Sequence, residues 1–277
     1  MSGQAAPEEN SDYRVEAGYR FPGEDFAMTA AEQREKHGYC DIDEAVYGEY
    51  VDPTFIARRP ITLNTDAITA CHPENGIVHT VHRIRQARPV PLGETLAMTG
   101  EYVAVEDALR GWVLKSRWEY RDADGEVVVT VEPDVLMIDP ARVPQPGGRK
   151  GKAAPPDDAG FEVLARKQCT PETTLGYCEG SQNKIHLEPD YAKEFGFRAP
   201  IIAGNQTVNF LLEGLAADGV PGELDVTLRF LRPVFWDDSI AVVGRRGAEG
   251  KLAELRALNG DGKIVGDCHV ASVAYLA

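Results

Sequence analysis

Within each half of the chain, Val, Leu, Tyr and Trp alternate with polar residues in long runs, the spacing of half-buried β-strands. The segments "GWVLKSRWEYRDADGEVVVTVEPDVLM" (111–137) and "GKLAELRALNGDGKIVGDCHVASVAYL" (250–276) each hold two such runs around an Asp-Gly pair, Asp124-Gly125 and Asp261-Gly262. Asp-Gly between alternating runs is a hairpin signal, so the strands are expected to be long and antiparallel. Two segments depart from period two. "AGNQTVNFLLEGLAAD" (203–218) places apolar residues near i, i+3, i+4 and i+7 and predicts a helix. "PTFIARRPITLNTDAITAC" (53–71) holds the matching place in the first half, where Pro60 predicts a kink or an end.

The two halves also resemble each other. "IRQARPVPLGETLAMTGEYV" (84–103) lies on "LRFLRPVFWDDSIAVVGRRG" (228–247) when Arg88-Pro89 is set on Arg232-Pro233. One large interval implies a duplicated unit, here a sheet curled around a single helix, and not a solenoid. The boundary is "DPARVPQPGGRKGKAAPPDDAG" (139–160), where Pro, Gly and charge replace every apolar period. The expected organisation is a disordered start at 1–12, one unit over 13–139, a linker over 140–160 and a second unit over 161–277. Gly151-Lys152 in that linker is no phosphate loop, because Pro146 and Ala153 stand where Gly and Ser or Thr are required.

Composition narrows the function classes. A chain of 277 residues that is 43% hydrophobic can bury a sizeable core. With 29 Lys and Arg against 44 Asp and Glu, the net charge of -15 repels nucleic acid and anionic membrane, so neither is expected as a partner. Cys40, Cys71, Cys169, Cys178 and Cys268 are odd in number and never paired as C-x-x-C, which points to a reducing compartment without structural zinc. The polar, acidic opening stretch lacks a signal-peptide pattern, and the expected location is cytoplasmic. His79 and His82 have the spacing of a helical metal pair but fall on an expected strand, where they would face opposite sides; no metal is expected. Cys178 reads as a buried apolar thiol, since no adjacent base can be named to activate it.

The polar loop "EGSQNKIHLEPDYAKEFGFRAPIIAGNQ" (179–206) carries the candidate chemistry. Asn183-x-x-His186, then Tyr191-Ala192, Gly196-Phe197, Pro200-Ile201 and Gly204 heading the helix, resembles the MaoC-like branch of the hotdog fold, the (R)-specific enoyl-CoA hydratases and 3-hydroxyacyl thioester dehydratases. The two-unit layout is similar to their double-hotdog members, in which the C-terminal unit keeps the catalytic loop and the N-terminal unit helps to shape the acyl tunnel. The resemblance implies an α+β double hotdog that hydrates or dehydrates an acyl-CoA or acyl-carrier thioester. No cofactor is implied beyond CoA as part of the substrate, and the expected state is monomer or homodimer.

By the same resemblance His186 is the general acid or base, Asn183 orients the ring or the water, and the Gly204 amide holds the thioester carbonyl. Imidazole titrates near neutral pH, and unpaired N–H groups at a helix N-terminus favour developing negative charge, so these residue types suit those tasks. The family pattern is Asp-x-Asn-x-x-His, and this chain has Ser181 at the first position. Ser181 can hold a water but exchanges no proton near pH 7, so Glu179 or Glu172 is the candidate replacement. Lys184, Arg198 and Pro200 are the expected substrate-binding residues, while Tyr191, Phe195 and Phe197 are expected to be packing. Further cations available for phosphate are Arg58-Arg59, Arg83, Arg85, Arg88, Arg229 and Arg245-Arg246. Two rival readings keep the tunnel: a thioesterase or isomerase run by a single His, and a non-catalytic acyl-CoA-binding protein.

Overall fold

The computed structural model describes residues 12–143, 159–247 and 249–276. Residues 1–11 of the expected disordered start at 1–12 and most of the expected linker at 140–160 lie outside them. The first half contains β1 (Glu24–Phe26), α1 (Ala30–Gly38), a 3-10 turn at Glu44–Val46, α2 (Pro53–Cys71), β2 (Gly76–Gln86), β3 (Leu96–Ala108), β4 (Gly111–Arg121) and β5 (Val127–Ile138). The second contains β6 (Phe161–Gln168), α3 (Pro171–Tyr177), a 3-10 turn at Lys184–His186, α4 (Pro189–Glu194), α5 (Gly204–Ala216), β7 (Pro221–Phe230), β8 (Ser239–Arg246), β9 (Leu252–Asn259) and β10 (Ile264–Tyr275).

All ten strands join one antiparallel sheet in the order β1-β3-β4-β5-β2-β7-β10-β9-β8-β6. Read inward from each edge, the halves repeat the same order, and they meet where β2 pairs with β7 from Val81↔Arg229 to Gln86↔Leu224. The hairpin turns sit where Asp-Gly places them: Gly125 (φ 82) and Gly262 (φ 72) take the left-handed conformation that costs glycine little. Helices α2 and α5 lie against the sheet, and α5 is buried along nearly its whole length.

Pro60 does not end α2, which runs unbroken from Pro53 to Cys71. A proline there leaves the carbonyl of Ile56 without its helical donor. Tyr120, buried on β4, donates its hydroxyl to that carbonyl at 2.6 Å. The freed acceptor is thus satisfied by a residue 64 positions away, and the helix continues.

A buried polar network ties the halves together. Asp52 caps α2 through Thr54 N at 2.8 Å and faces His37 Nε2 at 3.0 Å. It also accepts from Asn209 Nδ2 of α5 at 2.8 Å, while the Tyr177 hydroxyl donates to Asn209 Oδ1 at 2.8 Å. With Asp52 and Asn209 both at 0% exposure, these hydrogen bonds satisfy groups that would be costly to leave unpaired. The helix pair and the joined strands set the positions of the loop that carries His186 and of the start of α5.

Candidate active site

Local packing explains why the 179–206 loop presents its polar residues inward. Ile185, at 0% exposure, packs with Ile138, Ala192, Phe195 and Ile201, and its carbonyl accepts from Ile201 N at 3.3 Å. Pinning the middle residue of the 3-10 turn sends Lys184 outward and leaves His186 on the inner side. A cavity of about 410 Å³ lies there, lined by the loop, the start of α5, one stripe of α2 and the ends of β2 and β7. His186, Asn183, Ser181 and Gly204 all line it.

The hydrogen bonds of His186 decide which nitrogen carries its proton. Its Nδ1 lies 2.9 Å from Ile201 O, and a carbonyl only accepts, so Nδ1 carries the hydrogen. Nε2 is then the acceptor, and it receives a hydrogen from Asn183 Nδ2 at 3.1 Å. Asn183 also donates from Nδ2 to Ile77 O at 3.0 Å, which fixes its amide orientation. Desolvation lowers the pKa of His186 to about 4, partly opposed by the hydrogen bond to Ile201. The ring is therefore a neutral acceptor at neutral pH.

Ser181 serves the loop itself: its Oγ accepts from Asn183 N at 3.2 Å. Among the described residues no carboxylate oxygen lies within 4.0 Å of a His186 ring nitrogen. Glu179 is exposed and reaches the cavity rim, whereas Glu172 does not line the cavity at all. Neither supplies the missing carboxylate in contact with His186.

At the start of α5 the N-cap is Ala203, which offers no side-chain acceptor. Its own amide donates to Gln206 Oε1 at 3.2 Å, and among the described residues the amides of Gly204 and Asn205 donate to nothing. Two free N–H groups at the positive end of a helix make an oxyanion-type site. A Cβ on Gly204 would sit 2.8 Å from His79 Nδ1 and 2.9 Å from His79 Cβ. Glycine is needed there for close approach to β2, beyond the crowding of a ligand. We expect Gly204→Ala to displace His79 and to lower stability by about 1 to 3 kcal/mol, read in a denaturant melt.

His79 and His82 correct the expectation that they face opposite sides. A β-bulge between His79 and Val81 adds one residue to β2 relative to β5, which resets the alternation. The two rings lie 4.5 Å apart, and desolvation holds both in the neutral form, His82 with its pKa lowered to about 3. Among the described residues no group of three His, Cys, Asp or Glu could hold a metal ion.

The three expected substrate-binding residues do not line the cavity. Arg198 is engaged by Asp237 at 2.6 Å and Asp238 at 2.8 Å, and stacks over Phe235. Lys184 points outward beside Glu188 at 3.7 Å, and the Pro200 carbonyl accepts from Trp236 N at 3.2 Å. The cavity instead holds Arg58, named among the available cations, with Arg110 and Arg232. Arg110 comes from the β3–β4 corner, distant in sequence from the motif, and only the fold brings it near. Phe197 also lines the cavity, with the Arg110 guanidinium 6.0 Å from its ring, so it is more than core packing. Tyr191 and Phe195 pack together at 4.9 Å. Cys178 lines the cavity as a protonated thiol, its pKa pushed up to about 11 by burial, which is the reverse of what a nucleophile needs.

No family model and no curated protein matches the sequence significantly. Solved structures do match in three dimensions. HtdX from Mycobacterium tuberculosis has a TM-score of 0.73 at 20% identity, over 91% of this chain and 98% of that one. The peroxisomal multifunctional enzyme type 2 from Drosophila melanogaster has a TM-score of 0.66 at 19% identity, over 90% of this chain and 48% of that one. An acyl-ACP thioesterase from Bacteroides thetaiotaomicron has a TM-score of 0.57 at 9% identity, over 90% of this chain and 96% of that one. Further neighbours are named MaoC-like dehydratases, including one from Phytophthora capsici. Among the described residues no helix is long and apolar enough to cross a membrane. Similarity at these identities is one of fold, and the fold of this chain is the α+β double hotdog that MaoC-like dehydratases and acyl thioesterases share.

Proposed function

We propose that the chain catalyses the reversible hydration of an enoyl thioester, most simply an acyl-CoA, with His186 as general base and acid. One observation carries the reading: a tautomer-fixed imidazole and the two free amides of α5 line a single cavity. In the hydration direction a water takes the place of the Asn183 Nδ2 hydrogen at Nε2 and gives its proton to that nitrogen, and the oxygen of that water bonds to the β-carbon. The double-bond pair moves into the thioester, and its oxygen receives the negative charge beside the Gly204 amide. The protonated His186 then returns its proton to the α-carbon. Asn183 Oδ1 accepts no hydrogen bond among the described residues and is free to hold the water. Arg58, Arg110 and Arg232 supply positive charge for the carrier phosphates in an otherwise acidic protein. The setting we assign is cytoplasmic acyl-CoA metabolism, as a monomer or homodimer.

Among the described residues no carboxylate contacts the His186 ring, which favours one rival, thioester hydrolysis, a reaction that a single histidine can promote, and the acyl-ACP thioesterase neighbour has the same fold. A panel of enoyl-CoA thioesters separates the two: hydration removes the conjugated chromophore without releasing thiol, whereas hydrolysis releases CoA thiol. The pH profile adds a second check. A base with pKa about 4 is unprotonated above that value, so kcat/KM is expected to hold steady from pH 8 to about pH 5 and to fall as pH drops through about 4. A limb near pH 6.5 would mean that an ordinary imidazole, not this buried one, is titrating.

A further inference from the structure

Among the ionisable groups of the cavity that the proposed reaction does not use is a carboxylate on its α2 wall. Arg58, Ile61, Thr62, Thr65 and Asp66 form one stripe of α2 and line it together. At 1.5 Å per residue, Asp66 stands about 12 Å along the axis from Arg58. Its carboxylate accepts no hydrogen bond and enters no ion pair among the described residues. The charges that act on it are Arg59 and Glu24, and the Arg59 guanidinium is already held by Glu24, with Nη2 to Oε2 at 2.7 Å. Burial raises the Asp66 pKa above the ordinary carboxylate value, the mark of a group that gives up water without gaining a partner. A partly desolvated carboxyl without a partner is poorly suited to a wall that needs only to hold a hydrocarbon chain. Thr62 and Thr65 beside it make the wall more polar than a plain fatty chain requires.

We propose that Asp66 selects acyl thioesters whose chain carries a hydrogen-bond donor, a hydroxyl or an ammonium, placed to meet its carboxylate. The inference rests on the reading of the cavity as an acyl thioester site, and it names the class of chain that site takes. A methyl-ended chain covers the half-buried Asp66 carboxylate without pairing it, whereas a donor-bearing chain satisfies it. A hydrogen bond to a charged partner corresponds to roughly a tenfold to hundredfold difference in affinity.

The test uses the full chain and a series of saturated acyl-CoA thioesters of increasing length, each ending in a methyl, hydroxyl or amino group, with affinities from titration calorimetry. One hydroxyl- or amino-ended member should bind at least about tenfold tighter than its methyl-ended counterpart. Asp66→Leu should abolish that preference and tighten binding of the methyl-ended chain. Asp66→Asn, uncharged and of the same shape, should keep a hydroxyl preference and lose an amino one, which tells the two sources apart. Neither variant should melt below the wild type, because each removes a desolvated charge. Equal affinities for all three endings, or a preference that survives in Asp66→Leu, would overturn the proposal. Preference without hydration of the matching enoyl-CoA would instead reject the proposed reaction and leave the role of Asp66 standing. No binding of any acyl-CoA rejects both.

Discussion

Replacing His186 with alanine is expected to lower the rate of enoyl-thioester hydration by about 100- to 10,000-fold, the range for loss of one general acid or base. The upper part of the range is the better expectation, because among the described residues no second titrating group hydrogen-bonds to the ring, whose partners are Ile201 O and Asn183 Nδ2. The fold should survive. Ile201 O would lose its side-chain donor, which costs about 1 to 3 kcal/mol for a buried acceptor, while Ile185 still anchors the turn in its apolar cluster. The discriminating comparison is therefore kcat against acyl-CoA affinity and melting temperature. A fall in kcat with affinity and melting nearly intact supports the assigned role. A parallel loss of all three would show that the imidazole only holds the loop together. His186→Gln refines this, since its amide can still donate to Ile201 O but cannot serve as a base.

Much of this arrangement is readable from residue order, for physical reasons that also mark where reading stops. The duplicated strands are legible because alternation and Asp-Gly turns are local signals, and both turn glycines do take positive φ. The unbroken α2 is not, because the donor that offsets Pro60 is Tyr120, set in register by the sheet. The placing of His79 and His82 depends on a bulge that no local residue announces. Nearness in sequence also misleads about charge. Lys184 and Arg198 flank the motif, yet Arg198 is neutralised by Asp237 and Asp238, which arrive on the connection after β7. Arg110 and Asp66 reach the cavity from the other half of the chain, where only the packing of one duplicated unit on the other brings them close.

Ser181→Asp is expected to raise the hydration rate by about 100-fold or more, because it places a proton-exchanging carboxylate where the MaoC-like pattern has one. The local geometry suits the change. Ser181 sits in a tight turn closed by its amide to Cys178 O at 2.9 Å, and its Oγ already accepts from Asn183 N. One carboxylate oxygen can take over that contact and leave the second for the water. Ser181 is partly exposed, so the new charge keeps some hydration and little stability should be lost. The pH profile supplies an independent sign. A carboxylate near His186 favours the imidazolium, so the acid limb should move upward from about 4 toward neutrality in the variant. Faster turnover together with that upward shift would mean that the wild-type site is a hydratase slowed by the loss of one proton-transfer partner. An upward shift with no gain in hydration would mean that the carboxylate reached the ring but the chemistry was never hydration, and release of free thiol by both proteins would then point to thioester cleavage in the same cavity.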